Sequence, residues 1–135
     1  RYAEVLLIHA DPLTKLKRLG EAKTSLDKVR ARVGLPGVIA ANQQEMMVAI
    51  ERERMVELAF EGHRYWDLRR WRKAHIVLNN VRFEGHKPVA TGNTYRYDVV
   101  DVDKQDRFFP SKFYYMPIPQ DEIVRNAAIT QIQGW

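Results

Sequence analysis

Glu57 and Glu61 stand four residues apart in ERERMVELAFEGHRYWDLRRW, residues 51–71. A pair of carboxylates is the equipment of general acid and base catalysis, as in glycoside hydrolysis. Two acids one helical turn apart, however, project in the same direction and do not flank opposite sides of a scissile bond. Arg54 lies three residues before Glu57 and Arg64 three after Glu61, a spacing at which arginine neutralises acid. Arg54, Glu57, Glu61 and Arg64 therefore read as a structural charge network, and no catalytic residue is expected.

The other candidate chemistries are weaker. RRWRK, residues 69–73, pairs basic residues with a tryptophan that would stack on a base, but a helical wheel puts Trp71 on an apolar face with Leu68 and turns the cations elsewhere. The segment reads as a solvated basic face, and no nucleic-acid partner is expected. The net charge of +5 is the balance of 22 basic and 17 acidic residues distributed through the same segments, which weakens a polyanion reading further. His9, His63, His75 and His86 show no tight ligand spacing, and no P-loop, dinucleotide fingerprint or nucleophile elbow occurs. With no cysteine there is no disulfide framework, thiolate site or thiol nucleophile. Neither a metal nor a cofactor is expected.

The elements that position these residues read as mainly helical. In RYAEVLLIHA, Tyr2, Val5, Leu6 and His9 share a face, and Asp11-Pro12 is expected to interrupt the helix. Ala22, Leu26, Val29 and Val33 mark a second helix, stopped by Gly34 and Pro36, and the two helices make a hairpin the size of a tetratricopeptide unit. Asn42 and Glu45 form a capping-box-like pair that opens a third helix, expected to reach Phe60. Met47, Val48, Met55, Leu58 and Ala59 fall on one of its stripes, and Ala49, Val56 and Phe60 on another. A fourth helix from Arg64 sets Leu68, Trp71, His75 and Leu78 on one face. Residues 79–112 are rich in turn signals, with alternation at Tyr95 to Val102 that suggests short strands. The tail is extended around Pro117 and Pro119, then starts a helical turn at Gln120 or Asp121, and is expected to bury its rings. The longest apolar run, Val5 to Ile8, is far too short to span a bilayer. The fold class is thus mainly α: helical hairpins over residues 1–78, then a loop-rich region with short β segments, residues 79–135, packed on them.

Four pieces in order carry a family resemblance: RYAEVLL, LDKVRARVGLP, ERERMVELAFEGHRYWDLRRW, and YYMPIPQDEI followed by QIQGW. Together they resemble the C-terminal part of SusD/RagB proteins, the nutrient-binding lipoproteins exposed on the bacterial outer membrane. The resemblance implies tetratricopeptide-like hairpins, non-catalytic capture of an oligosaccharide or peptide ligand, and a SusC-like TonB-dependent transporter as partner. It also implies that the chain is one domain of a longer protein, attached to the membrane only through an N-terminal lipid anchor outside these residues. Two departures stand out: HADPLTKL replaces an Ala-Glu-Ala-like continuation of the first helix, and Gln131-Ile132-Gln133-Gly134-Trp135 replaces a Gln-Asn-Pro-Gly-Trp ending.

No binding residue transfers from the family by motif. Within the chain, the loop expected from Gly85 to Tyr97 is the candidate, because Tyr95 and Tyr97 can stack on a sugar face and Asn93 can bond hydroxyls. Two readings stand beside nutrient binding: a helical-repeat protein-interaction scaffold unrelated to uptake, and a small basic nucleic-acid-binding domain.

Overall fold

A computed structural model describes all of residues 1–135, which form two compact units, Arg1–Asp67 and Leu68–Trp135. The division falls inside a helix.

The first unit is built on α1 (Tyr2–Lys15), α2 (Leu19–Ala31) and α3 (Gln43–Glu57), with α1 packed on both of the others. Contrary to expectation, α1 runs through Pro12. Pro12 removes one donor, but the Ile8 carbonyl it would have served is at an exposed turn where water can bond it, and the Pro12 carbonyl accepts from Leu16 N–H at 2.9 Å. The buried face is Leu6, Leu7, Ala10 and Leu13; of the residues expected to face inward, only Leu6 does. Both sides of α1 are apolar, and α2 and α3 take the side that periodicity did not favour.

On α2, Ala22, Leu26 and Val29 are buried as their spacing predicts, whereas Val33 lies past the helix end and is exposed. Gly34 stops the helix at φ +72°, with its own N–H on the Ala31 carbonyl and Leu35 N–H reaching back to Arg30, a Schellman arrangement that L side chains adopt poorly. The following loop is tied to α2 by Asp27, whose carboxylate accepts from Val38 N–H at 2.7 Å and pairs with Lys23. Gly37 sits so close to this carboxylate that a Cβ there would lie 2.9 Å from it.

A capping-box-like pair forms: the Asn42 side chain accepts from Glu45 N–H at 2.9 Å, and the Glu45 carboxylate reaches one residue past the cap to accept from Ala41 N–H at 2.7 Å. The helix ends at Glu57, short of Phe60, which takes a left-handed φ of 63° and is fully exposed. Its inward row is Met46, Ile50, Arg54 and Leu58, one residue per turn. Neither expected stripe is the core face, since Val48, Met55, Val56 and Phe60 are exposed. An arginine in the buried row interrupts the apolar pattern that would have revealed it.

The expected fourth helix is two: α4 (His63–Arg70) and α5 (Ala74–Val77). Arg72 between them has φ 57°, with Arg72 N–H on Arg69 and Lys73 N–H on Leu68, so α4 closes in a second Schellman turn without glycine. Trp71 is therefore half-buried and lies under the Arg70 guanidinium at 4.9 Å, and His75 is exposed. The second unit's core is Leu68, Ala74 and Phe109, edged by Val77, Leu78, Phe113 and Tyr114. Strands β1 (Glu84–Thr91) and β2 (Thr94–Asp101) form an antiparallel hairpin, Thr91 opposite Thr94 across Gly92-Asn93. Gly92 at φ 60° supplies the positive angle that a two-residue hairpin turn needs at its first position. A 3-10 turn at Ser111–Tyr114 precedes α6 (Gln120–Arg125), which starts where the prolines predicted. In the tail, the Gln131 side-chain amide donates to the Ile118 carbonyl at 2.9 Å and accepts its N–H at 3.0 Å. The altered ending closes compactly, with Trp135 stacked on Phe113 at 5.3 Å and its indole N–H on the Lys112 carbonyl at 3.1 Å. No helix is long and apolar enough to cross a membrane.

Candidate functional site

The charged residues that opened the sequence reading are assembled, but not with the partners their spacing suggested. Arg54 faces Asp67 rather than Glu57 or Glu61; Nε and Oδ2 are 2.7 Å apart and both side chains are buried. Nη1 of Arg54 is buried without a hydrogen-bond partner, so the pair carries a desolvation cost that the close Asp67 contact works against. Asp67 escaped the sequence reading because it sits on another helix, where no local spacing links it to Arg54.

Glu57 and Glu61 do converge, on Arg1. Its Nη1 is 2.9 Å from Glu57 and its Nη2 2.5 Å from Glu61, while it also bonds the Glu57 carbonyl. Arg32 adds a second cation to Glu57 at 2.8 Å. The Glu61 hydrogen bond, with the charges of Glu61 and Glu57, outweighs burial and raises the Arg1 guanidinium above its ordinary value. Arg64 joins none of these pairs and instead lines a shallow cleft with Met55 and Tyr65. Two carboxylates clamped on one side of a single guanidinium tie the start of α1 to the end of α3.

The Gly85 to Tyr97 segment is not a loop but most of the β-hairpin. Tyr95 and Tyr97 alternate onto the same face of β2, opposite Ala90 and Pro88 on β1, with Val99 and His86 continuing that face. Both tyrosines stand free at 67% and 64% exposure, and Asn93 lies at the tip. The result is an open aromatic platform, its tyrosines about 6.5 to 7 Å apart along the strand. Behind it, Asp103 accepts from Phe83 N–H at 3.1 Å and pairs with Arg107 at 2.9 Å, and Arg107 covers the Phe83 ring at 4.2 Å. The Arg107 hydrogen bond, then the Phe83 N–H, hold the Asp103 carboxyl below the usual carboxylate range. These contacts fix the base of the hairpin.

The basic segment is likewise not a free solvated face. Arg69 donates to the Tyr114 carbonyl at 2.8 Å, and Arg72 lies over the Tyr114 and Tyr115 rings at 4.6 and 5.4 Å. His75 Nδ1 is 2.7 Å from the Tyr114 hydroxyl. These cations fasten aromatic residues of the C-terminal tail, a use that sequence spacing did not show because the partners lie some forty residues away.

Six helices and one two-stranded antiparallel sheet make a mainly α fold. Residues 1–135 match the SusD family throughout, and the chain belongs to that family. It is 31% identical to SusD-like protein P2 of Formosa agariphila, over 94% of this chain and 23% of that protein. SusD-like protein P38 of the same organism is 33% identical over 60% of this chain and 18% of its own length. Among solved structures, a SusD-like protein from Bacteroides fragilis superposes with a TM-score of 0.89 at 30% identity, covering all of this chain and 25% of that one. The chain thus spans about a quarter of the length of the relatives it matches.

Proposed function

We propose that this chain is part of a non-catalytic nutrient-binding protein of the bacterial cell surface, which captures oligosaccharides or peptides and delivers them to a SusC-like TonB-dependent transporter. The observation that carries the reading is the family match over every residue, joined to a fold that superposes closely on a SusD-like protein. The protein is held at the outer membrane by an N-terminal lipid anchor outside residues 1–135. Within this chain the ligand contacts Tyr95 and Tyr97, whose exposed rings stack on apolar sugar or side-chain faces, and Asn93, which bonds polar groups at the hairpin tip. The clamping of Glu57 and Glu61 on Arg1 supports a structural use of both acids.

The test is calorimetric titration of the full-length protein with a panel of oligosaccharides and peptides, with chromatography of the same mixtures for products. Saturable binding of one ligand class without product is expected. Turnover that Glu57→Gln or Glu61→Gln abolishes in a folded protein would contradict the reading.

A further inference from the structure

The β-hairpin has two outer edges, and they differ. In an antiparallel pair, opposed residues alternate between those that bond each other and those whose main-chain groups point away from the partner strand. Val102 N–H bonds the Phe83 carbonyl at 2.9 Å, and Thr91 faces Thr94 across the two-residue turn. The alternation set by these two pairs turns Pro88 and its alternate neighbours outward on β1, and Tyr95, Tyr97 and Val99 outward on β2. Pro88 has no N–H to offer in the middle of its edge, the means by which an edge strand refuses a partner. The β2 edge has no proline and is rich in the aromatic and β-branched residues that favour pairing. The sheet has only these two strands, so the outward row of β2 faces no strand of residues 1–135.

We infer that the outer edge of β2 is a self-association site, and that its occupant is the same strand of a second copy of this protein, paired antiparallel about a two-fold axis at Tyr97. Charge and register choose that occupant. About Tyr97 the strand TYRYDVVD is its own complement: Arg96 falls opposite the partner's Asp98, and Tyr95 opposite the partner's Val99. Within one strand Arg96 Nε already lies 2.8 Å from Asp98 Oδ1, so pairing closes a square of alternating charge. Moving the axis by one residue in either direction would set Arg96 against Arg96 or Asp98 against Asp98, like charges directly opposed. Because the Tyr97 main-chain groups point outward, the two copies of Tyr97 exchange a pair of hydrogen bonds. The product is an isologous four-stranded sheet in the order β1-β2-β2-β1, and Pro88 on both of its outer edges stops further growth. The inference uses the edge of β2 and does not rest on the ligand reading, which uses one face of the hairpin.

The test is sedimentation velocity of the full-length protein over a wide range of concentration, for the native chain and for variants confirmed as folded by circular dichroism. A reversible monomer–dimer equilibrium is expected for the native chain. Tyr97→Pro removes an outward N–H that β1 does not use, and is expected to leave a folded monomer. Arg96→Asp sets two acids opposite each other at two symmetric places and is expected to weaken the dimer about tenfold. Adding Asp98→Arg is expected to restore it, because the swapped strand is again its own complement. With any cysteines elsewhere replaced by serine, Tyr97→Cys should yield a disulfide-linked dimer on mild oxidation, since hydrogen-bonded partners lie about 5.5 Å apart at Cα, and Val89→Cys on β1 should not. A native chain that is monomeric at every concentration would overturn the inference. So would a dimer that Tyr97→Pro or Arg96→Asp leaves intact, a charge swap that fails to restore it, or cross-linking as fast at Val89→Cys as at Tyr97→Cys.

Discussion

The two units solve the same problem with different materials. Arg1–Asp67 buries an aliphatic interior, including Leu7, Leu26, Met46 and Ile50, between three helices of thirteen to fifteen residues. Leu68–Trp135 has three buried residues, Leu68, Ala74 and Phe109, and supplements them with ring contacts: Phe109 on Phe113 and Tyr114, Phe113 on Trp135, Arg72 on Tyr114. Burial of aliphatic area is non-directional and scales with the area removed from water. Ring and cation contacts are directional and individually small, about 0.5 to 1.5 kcal/mol each. The first unit is accordingly a scaffold that tolerates an open surface, while the second can hold an exposed hairpin only by anchoring its base.

The sharpest way to break the comparison is at the one polar element inside the first unit. Arg54→Ala leaves Asp67 buried without its cation and is expected to cost about 3 to 5 kcal/mol in chemical denaturation. The double variant with Asp67→Ala should recover part of that loss, through a coupling of about 1 kcal/mol or more. Zero coupling would mean that the two charges are solvated independently. Phe109→Ala in the second unit should cost about 3 kcal/mol, at the low end for a buried ring because its neighbours are half-open and can collapse onto it.

Acid sharpens the comparison. Burial works to raise the Asp27 carboxyl, but the Lys23 hydrogen bond, the Val38 N–H and the charges of Lys23 and Arg30 outweigh it and hold the group below its ordinary value. A carboxyl depressed in the folded state contributes stability that is complete above its unfolded value, near 4, and is lost as pH falls through the lower folded value. The melting temperature of the protein should therefore fall below about pH 4, and Asp27→Asn should flatten that fall. The smallest effect belongs to the hairpin: Tyr95→Ala should change stability by less than about 0.5 kcal/mol, since the residue is 67% exposed. A loss of more than about 1 kcal/mol would show that the ring packs in solution.

Local grammar made much of the helical structure legible. Asn42 and Glu45 announced the start of α3, Gly34 the end of α2, and the prolines the start of α6, because each signal and its effect lie within one turn of chain. What stayed hidden involves partners far apart in sequence. Arg54 disguised the inward row of α3, since a charge in a core position is explained only by Asp67 thirteen residues on. Arg72 ended α4 in a conformation that glycine usually marks, and its rings at Tyr114 and Tyr115 supply contacts no helical wheel contains. Of the candidate site, the alternation of Tyr95 and Tyr97 was visible, but a run of turn signals masked the strand Glu84–Thr91 that pairs with it.

The proposed roles of the hairpin tyrosines in ligand binding and of Glu57 and Glu61 in structure are tested most directly by one calorimetric comparison on the full-length protein with its best ligand. The variants are the pair Glu57→Gln/Glu61→Gln and the pair Tyr95→Ala/Tyr97→Ala, each confirmed as folded. The account predicts unchanged affinity for the glutamine pair and at least a tenfold loss for the alanine pair. Affinity lost in the glutamine pair and kept in the alanine pair would contradict it.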